Sequence, residues 1–409
     1  MKNLKFYALG LAALAGTFTA CSDDDGGTDS SSSSSDKVIS ENITSNTTWK
    51  SGNVYTLSGR IVIEDGAELT IQPGTIIKAE GGREASASAL IVARGGVIHA
   101  VGTAEEPIIF TSVLDEIEPG ETESPNLDAS FRGLWGGVLV LGKAPISADN
   151  SEVQIEGIPA SDPNGLYGGS EEGDYSGEIA YISIRHGGTL LGEGNEINGL
   201  TLGGVGNGTS ISNVEIVANL DDGIEFFGGT VNVTNAIVNG QGDDAFDVDQ
   251  AYSGTVDNFV FIGSAESDHV LEIDGPEGST NGGATLTNGT FKGYQDDEGT
   301  YGEYADFRDG AQGTYSNLYF YNFSSDSDFE LDDDASSENY TNGDLKFSNL
   351  EFNVSHLSSG NLTVDAIVLD KSDLGTAFTG GLGFASIVTT ATVGADVSVF
   401  SWTSSYSEL

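Results

Sequence analysis

Apolar and polar residues alternate with period two through much of this chain, and the alternation keeps returning in the same phase. Five segments carry it most clearly: Gly223-Ile-Glu-Phe-Phe227, Ala245-Phe-Asp-Val-Asp249, Val270-Leu-Glu-Ile-Asp274, Tyr304-Ala-Asp-Phe-Arg308 and Asp328-Phe-Glu-Leu-Asp332. In each, a carboxylate (Glu225, Asp247, Glu272, Asp306, Glu330) stands between two apolar neighbours. Period two marks a strand with one face buried and the other turned to solvent. The repetition predicts stacked coils in which these carboxylates form a column on an exposed face.

A second strand repeats with them. Asn213-Val-Glu-Ile216, Asn235-Ala-Ile-Val238, Asn258-Phe-Val-Phe261, Asn288-Gly-Thr-Phe291, Asn317-Leu-Tyr-Phe320 and Asn349-Leu-Glu-Phe352 each open on Asn and close on an apolar residue. Another apolar residue (Ile211, Val233, Val256, Leu286, Tyr315, Phe347) stands two positions before each Asn. The Asn residues are spaced 22, 23, 30, 29 and 32 apart. Such intervals fit one coil of a parallel β-helix, the longer ones with turn insertions. Identical side chains on successive coils stack about 4.8 Å apart, so the six Asn amides are expected to hydrogen-bond in a ladder. Segments 54–63, 67–77, 89–93, 97–101, 107–112 and 137–142 also read as strands, and none resembles a long amphipathic helix. Segments 115–131 and 158–175 lose the period and read as long loops leaving the coil, the kind of element that often carries binding function. Over 354–409 the Asn and acid phases disappear, and this stretch is expected to close the end of the core.

The whole chain reads as all-β. Residues 1–20 form a signal peptide, 21–36 a flexible linker, and 37–409 a single β-helix domain with a cap over about 354–409. The leader has Lys2 and Lys5, an apolar run over 6–15, and the cleavage signal Phe18-Thr-Ala-Cys21. That run is too short to span a membrane. Cys21 is the only cysteine, which excludes an intramolecular disulfide. Its position resembles the lipobox of a bacterial lipoprotein, whose cysteine is lipidated. The Ser, Asp, Gly and Thr residues that follow cannot bury a core, and Ser22-Asp-Asp-Asp-Gly26 resembles the export signal of lipoproteins shown on the outer face of the Bacteroidetes outer membrane.

Charge narrows the function classes. With 63 acidic and 15 basic residues, the formal net charge is −48. Phosphate backbones would be repelled, so nucleic acid is excluded as a partner. Divalent cations, basic proteins and neutral glycans remain, and a monomer is expected. Disorder, the other reading of high charge, is opposed by 19 Phe and 14 Tyr recurring at strand spacing, with 57 Gly for turns and only 8 Pro.

Several stretches resemble a known group, the β-helical surface lipoproteins of Bacteroidetes with a pectate-lyase-like fold. They are Leu69-Thr-Ile-Gln-Pro-Gly-Thr75, Gly102-Thr-Ala-Glu-Glu-Pro-Ile-Ile-Phe-Thr111, Leu134-Trp-Gly-Gly137 and Asp221-Asp-Gly-Ile-Glu-Phe-Phe-Gly-Gly229. The resemblance covers nearly everything after residue 40. It implies a right-handed parallel β-helix and display at the cell surface, and it brings no established activity.

Candidate chemistry centres on the acids. Two unit charges one rung apart repel by about 3.5 kcal/mol at an effective dielectric of 20, so the column calls for a counter-charge. Ca²⁺ accepts six to eight oxygens in flexible geometry. Its candidate ligands are Asp221, Asp222, Glu225, Asp243, Asp244, Asp247 and Asp249, with the doubled acids Asp221-Asp222 and Asp243-Asp244 one coil of 22 residues apart. The favoured function is an acidic, Ca²⁺-stabilised platform binding a glycan or a protein in adhesion or nutrient capture. The first alternative is a polysaccharide lyase or hydrolase drawing on Asp222, Asp244, Asp247 and Asp249, with Arg185, His186, His269 and Arg308 as the few possible bases. A structural surface component is the second. Trp49, Trp135, Tyr167, Tyr252, Tyr294, Tyr301 and Tyr304 fall at expected turns, where rings can stack on sugars. For Trp135, closure of the core edge is the preferred role.

Overall fold

The computed structural model describes residues 37–82, 86–189, 197–295, 300–357 and 362–409, so the signal peptide, Cys21 and the linker lie outside the described residues. The chain winds as a right-handed parallel β-helix. One sheet stacks short strands in the order Arg60–Ile63, Ala89–Val92, Val138–Leu141, Leu200–Gly203, Ile224–Phe227, Phe246–Asp249, His269–Asp274, Glu303–Arg308, Phe329–Leu331 and Val368–Asp370. The opposing sheet is built in two rows. In the early coils these are separate strands, with Thr47–Trp49, Glu68–Ile71 and Val97–Val101 in one row and Lys37–Ile39, Val54–Leu57, Ile76–Ala79 and Ile108–Ser112 in the other. Both rows join the two halves of Gly177–Arg185. Ser210–Val217, Asn232–Asn239, Thr255–Ile262, Ala284–Lys292, Gly313–Tyr321 and Leu345–Asn353 then continue as single long strands.

The repeated Asn is what fuses the two rows. Asn213, Asn235, Asn258, Asn288, Asn317 and Asn349 all take left-handed backbone angles, with φ between 54° and 60°. Asn tolerates this region better than other residues with a side chain, so one residue turns the corner and the strand resumes. Tyr181 (φ 50°) occupies the same register position one coil earlier. The amides form the expected ladder, with Asn235 donating to Asn213 (3.0 Å), Asn258 to Asn235 (2.7 Å), Asn317 to Asn288 (3.0 Å) and Asn349 to Asn317 (2.9 Å). It breaks once. Asn288 donates to Asp257 instead, while the Asn258 amide bonds the backbone N–H and C=O of Asp396.

Asp396 belongs to a segment that the sequence reading assigned wholly to the cap. Strands Val368–Asp370 and Ala385–Ile387 do lie on the last coil. Residues 388–409 instead run back along the outside of the long-strand sheet. Thr392 bonds Glu351, the Ala395 N–H donates to Thr290, and Phe400 is buried against Ile237, Val260 and Ile262. Trp402 packs edge-on against Tyr181, and Ser404 and Ser405 bond Glu215. A continuous apolar run such as Phe259-Val-Phe-Ile262 is explained by this cover, because both faces of the strand are buried.

The two long loops are also covers. In the first, Ile117 packs on Val54, Ile76 and Ile109, and Arg132 bonds the Gly240 carbonyl, Ser264 and Glu266. The second begins earlier than expected, soon after Leu141, and its Ile146, Ile155, Ile158 and Tyr167 pack over Val62, Ile91, Leu139, Leu141 and Phe227 on the outer side of the short-strand sheet. The inner residues of both sheets, including Phe226, Phe246, Phe259, Phe291, Phe307 and Phe320, make one continuous core. Most of the expected sugar-stacking rings belong to it or to the covers, which corrects that expectation. Trp49, Trp135, Tyr167, Tyr252 and Tyr304 are buried. Trp135 donates its indole N–H to the Arg185 carbonyl at 2.7 Å. Tyr294 is half-buried, and the side chain of Tyr301 lies outside the described residues.

Candidate functional site: a stacked acidic face

Parallel pairing places residues of equal rank side by side. In the middle column of the short-strand sheet Val62, Ile91, Leu139, Thr201, Glu225, Asp247, Glu272, Asp306, Glu330 and Leu369 follow one another in register. The column runs from apolar residues through Thr201 to acids, and returns to an apolar residue at Leu369. Its apolar beginning lies under the second loop, and the five predicted carboxylates follow without a break. Flanking columns run beside it, with Asn198, Asp222, Asp244, His269 and Glu303 three positions before and Phe227, Asp249, Asp274, Arg308 and Asp332 two positions after.

This face is not open to solvent as expected. Glu225, Glu272, Asp306 and Glu330 are only 5–8% exposed, because each carboxylate is walled in by the rungs above and below and by both flanking columns. Burial and like charge therefore act together. They raise Asp222, Glu225 and Asp247 well above the ordinary carboxylate range. Asp249 rises to about 6 and Asp274 to about 8, led by burial, and these two carboxyls share a hydrogen bond. Glu303, bonded to Asp328, rises to about 7, Asp306 to about 6 and Glu330 to about 7, with burial again the leading cause.

Some acids have a second task. One Asp222 carboxylate oxygen accepts the Asp244 backbone N–H at 2.9 Å. Asp244 repeats this one rung on, taking the His269 N–H at 2.6 Å and the His269 Nδ1 at 2.9 Å. Burial opposes protonation of His269, but the Asp244 hydrogen bond and charge outweigh it and raise the imidazole to about 9. The doubled acids thus pair a coil-linking member (Asp222, Asp244) with a more exposed one (Asp221, Asp243).

Basic residues neutralise only the later rungs. Arg308 bonds Asp274 at 2.7 Å and pairs with Glu272. Lys371 pairs with Asp328 at 2.9 Å and with Glu330. Among the described residues, no Lys or Arg nitrogen lies within 4.0 Å of Asp222, Glu225 or Asp247. Five groups have ligand atoms mutually within 4.8 Å: Asp221/Asp222/Asp243, Asp222/Glu225/Asp247, Asp243/Asp244/Asp268, Asp244/His269/Glu272 and Glu303/Asp328/Glu330. All but one of the predicted metal ligands fall in these groups. Asp249 does not.

Two predicted bases lie elsewhere. Arg185 is buried on the outer side of the long-strand sheet, 3.3 Å from Glu215, and donates to Ser183 and Thr122. His186 is buried beside it with Nδ1 on the Phe131 carbonyl, and burial lowers its pKa. Neither serves the acidic face, which corrects their place among its candidate bases. One residue was missed: Asn198, fully buried, donates its amide to Glu225. Aligning Leu200-Thr-Leu-Gly203 as one more rung would have found it three positions before Thr201.

No curated protein and no solved structure matches this chain. The pectate-lyase-like beta helix domain matches over residues 41–406, the span in which coils, Asn corners and acidic rungs repeat. By that match and by its winding, the chain belongs to the pectate-lyase-like β-helix family.

Proposed function

We propose that this protein is a binding platform displayed on the outer membrane, tethered by a lipid on Cys21 and the linker over 22–36. Its short-strand face engages a glycan or a protein partner, with Ca²⁺ between the two. The observation that supports this reading is the run of five consecutive carboxylates in the middle column. The chain places a loop over Val62, Ile91 and Leu139, while from Glu272 on the acids pair with Arg308 and Lys371 of neighbouring rungs. A cation or a cationic partner on this face would offset the repulsion that, added to burial, holds its carboxyls above their ordinary range. The test is retention of the protein on immobilised neutral and acidic polysaccharides, with Ca²⁺ and with chelator. Binding that ignores chelator and survives Glu272→Gln with Asp306→Asn would refute it. Display is tested by protease treatment of intact cells expressing wild type and Cys21→Ser, where equal protection of both overturns the tether.

A second reading, glycoside hydrolysis, is favoured by one observation. His269, held by Asp244, stands one rung from Glu303, whose carboxyl burial raises to about 7, a value that suits a general acid working near neutral pH. It predicts new reducing ends from a polysaccharide, lost in Asp244→Asn.

A further inference from the structure

On the outer side of the long-strand sheet, a cleft of about 210 Å³ stays open between the first loop and the returning segment. Its floor is one column of three successive rungs, Arg185, Val217 and Asn239, in register. One wall is the first loop, through Ser124, Leu127 and Asp128. The other is the returning segment, through Ser404, Ser407 and Glu408. Three stretches far apart in sequence meet there and leave a space between them.

Consecutive residues of a strand point to opposite faces, yet Arg185 and His186 both line this cleft. His186 does so from the left-handed corner that ends the strand (φ 61°), and the next two rungs fill that corner with Ala218 (φ 55°) and Gly240 (φ 67°). The corner itself therefore does not call for an imidazole. Both residues are buried, Arg185 at 3% and His186 at 2% exposure. Arg185 is fixed through Nε and Nη2 by Ser183, Thr122 and Glu215. His186 Nδ1 donates to the Phe131 carbonyl, which leaves Nε2 of the ring as an acceptor. Burial lowers the His186 pKa and so keeps that nitrogen unprotonated. Among the described residues nothing bonds Arg185 Nη1 or His186 Nε2, and both atoms keep accessible surface, which the cleft supplies. Such unused polar atoms on buried side chains are rare in folded proteins.

The lining selects the chemistry of an occupant. An anion would meet the carboxylates of Glu123, Asp128 and Glu408, and Glu215 already neutralises Arg185. A metal ion would face a guanidinium, and among the described residues no three acidic or imidazole ligand atoms converge here. A hydroxyl both donates and accepts. A pair of them can satisfy the Arg185 N–H and the His186 nitrogen together, while Val217 and Leu127 offer apolar surface to the C–H groups between. A few convergent polar groups around an apolar patch are the usual make-up of a small-ligand site. We infer that this cleft binds a neutral sugar, the terminal hexose of a glycan, through Arg185 Nη1 and His186 Nε2. It lies on a different sheet from the acidic face and does not depend on how that face is read.

The test is saturation-transfer NMR and calorimetric titration of the full chain with glucose, galactose, mannose and N-acetylglucosamine, with glucuronate and glucosamine as charged counterparts. At least one neutral sugar should bind, and more tightly than either charged one. His186→Ala, which gives this corner the residue that the next rung carries, should weaken binding at least tenfold. Ser407→Trp, which fills the mouth from an exposed position, should do the same, and thermal melting checks that both variants fold. Chelator, or Glu272→Gln with Asp306→Asn, should leave sugar binding unchanged. The inference is overturned if none of the neutral sugars binds, if glucuronate or glucosamine binds more tightly, or if binding survives in folded Ser407→Trp and His186→Ala. Loss of binding in Glu272→Gln with Asp306→Asn would move the sugar to the acidic face and overturn it equally.

Discussion

Arg185→Ala is expected to cost stability and nothing at the acidic face. Arg185 is 3% exposed, Glu215 0%, and their charged groups lie 3.3 Å apart. At an effective dielectric of 20 that separation gives an attraction of about 5 kcal/mol, and removing one partner of a buried pair typically costs about 3–5 kcal/mol. Glu215 would keep its bonds from Ser183 (2.5 Å), Ser404 (2.8 Å) and the Ser405 N–H and hydroxyl (2.9 Å each). Those bonds place the loss near the lower end, about 3 kcal/mol. Burial would raise the Glu215 pKa, but the Arg185 charge and the serine donors hold it below the ordinary value. A depressed carboxylate stabilises the fold above its unfolded pKa, about 4.3, and loses that contribution as pH falls through its folded pKa. The Arg185→Ala penalty should therefore be full at pH 7 and shrink in acid. The assay is denaturant unfolding of Arg185→Ala, Glu215→Gln and the double variant at pH 7 and pH 4, with Ca²⁺ titration of each. A double-mutant coupling below about 0.5 kcal/mol, or lost Ca²⁺ binding in a stable Arg185→Ala protein, would refute the structural assignment.

Other outcomes follow from the geometry. Glu303, Asp306 and Glu330 are raised to about 7, 6 and 7, so the folded chain holds protons that the unfolded chain has released. In chelator the melting temperature should fall as pH rises from about 4 to about 7, and a flat or rising profile contradicts the raised values. Asn317→Ala should cost about 2–4 kcal/mol, from the left-handed corner and two ladder bonds. Asn317→Gly should cost about 1–2, since it keeps the corner and loses only the bonds, and equal losses would deny the corner its role. Phe400→Ala removes a buried ring (0% exposed), nominally worth about 3–5 kcal/mol. The measured loss cannot exceed the docking free energy of residues 388–409, so amide exchange should quicken there and at Ile237 and Val260 before global unfolding. Uniform protection would oppose this.

The rungs and the Asn ladder were legible because each is set by a short repeat, period two for the strand and one Asn per coil for the ladder, whereas the left-handed corner at each Asn emerged only from the backbone angles. Glu225 and Asn213 announce themselves within a few residues. Three other things were not legible. The break in the ladder depends on Asp396 reaching Asn258 across a separation of 138 residues, and nothing near Asn258 differs from its neighbours. Burial of the acidic column follows from stacking, since a period of two says which way a side chain points and not what surrounds it there. Arg185 and His186 precede the acidic coils in sequence but end a strand of the other sheet, so adjacency along the chain misled. Phe259-Val-Phe-Ile262 did carry a signal for the returning segment, in an alternation that fails only where both faces are covered.

The returning segment changes how the coils depend on one another. In a stack of repeats each coil ordinarily answers only to the next, and local fraying is cheap. Here one strip of chain, made after the coils it covers, is fastened to strands from Gly177–Arg185 to Leu345–Asn353. As the chain emerges, Ile237, Val260 and Ile262 stay bare until Phe400 arrives. Closure of this sheet is thereby a late, single event reported across a span of seven long strands at once, and a chain halted before residue 388 would carry a sticky stripe.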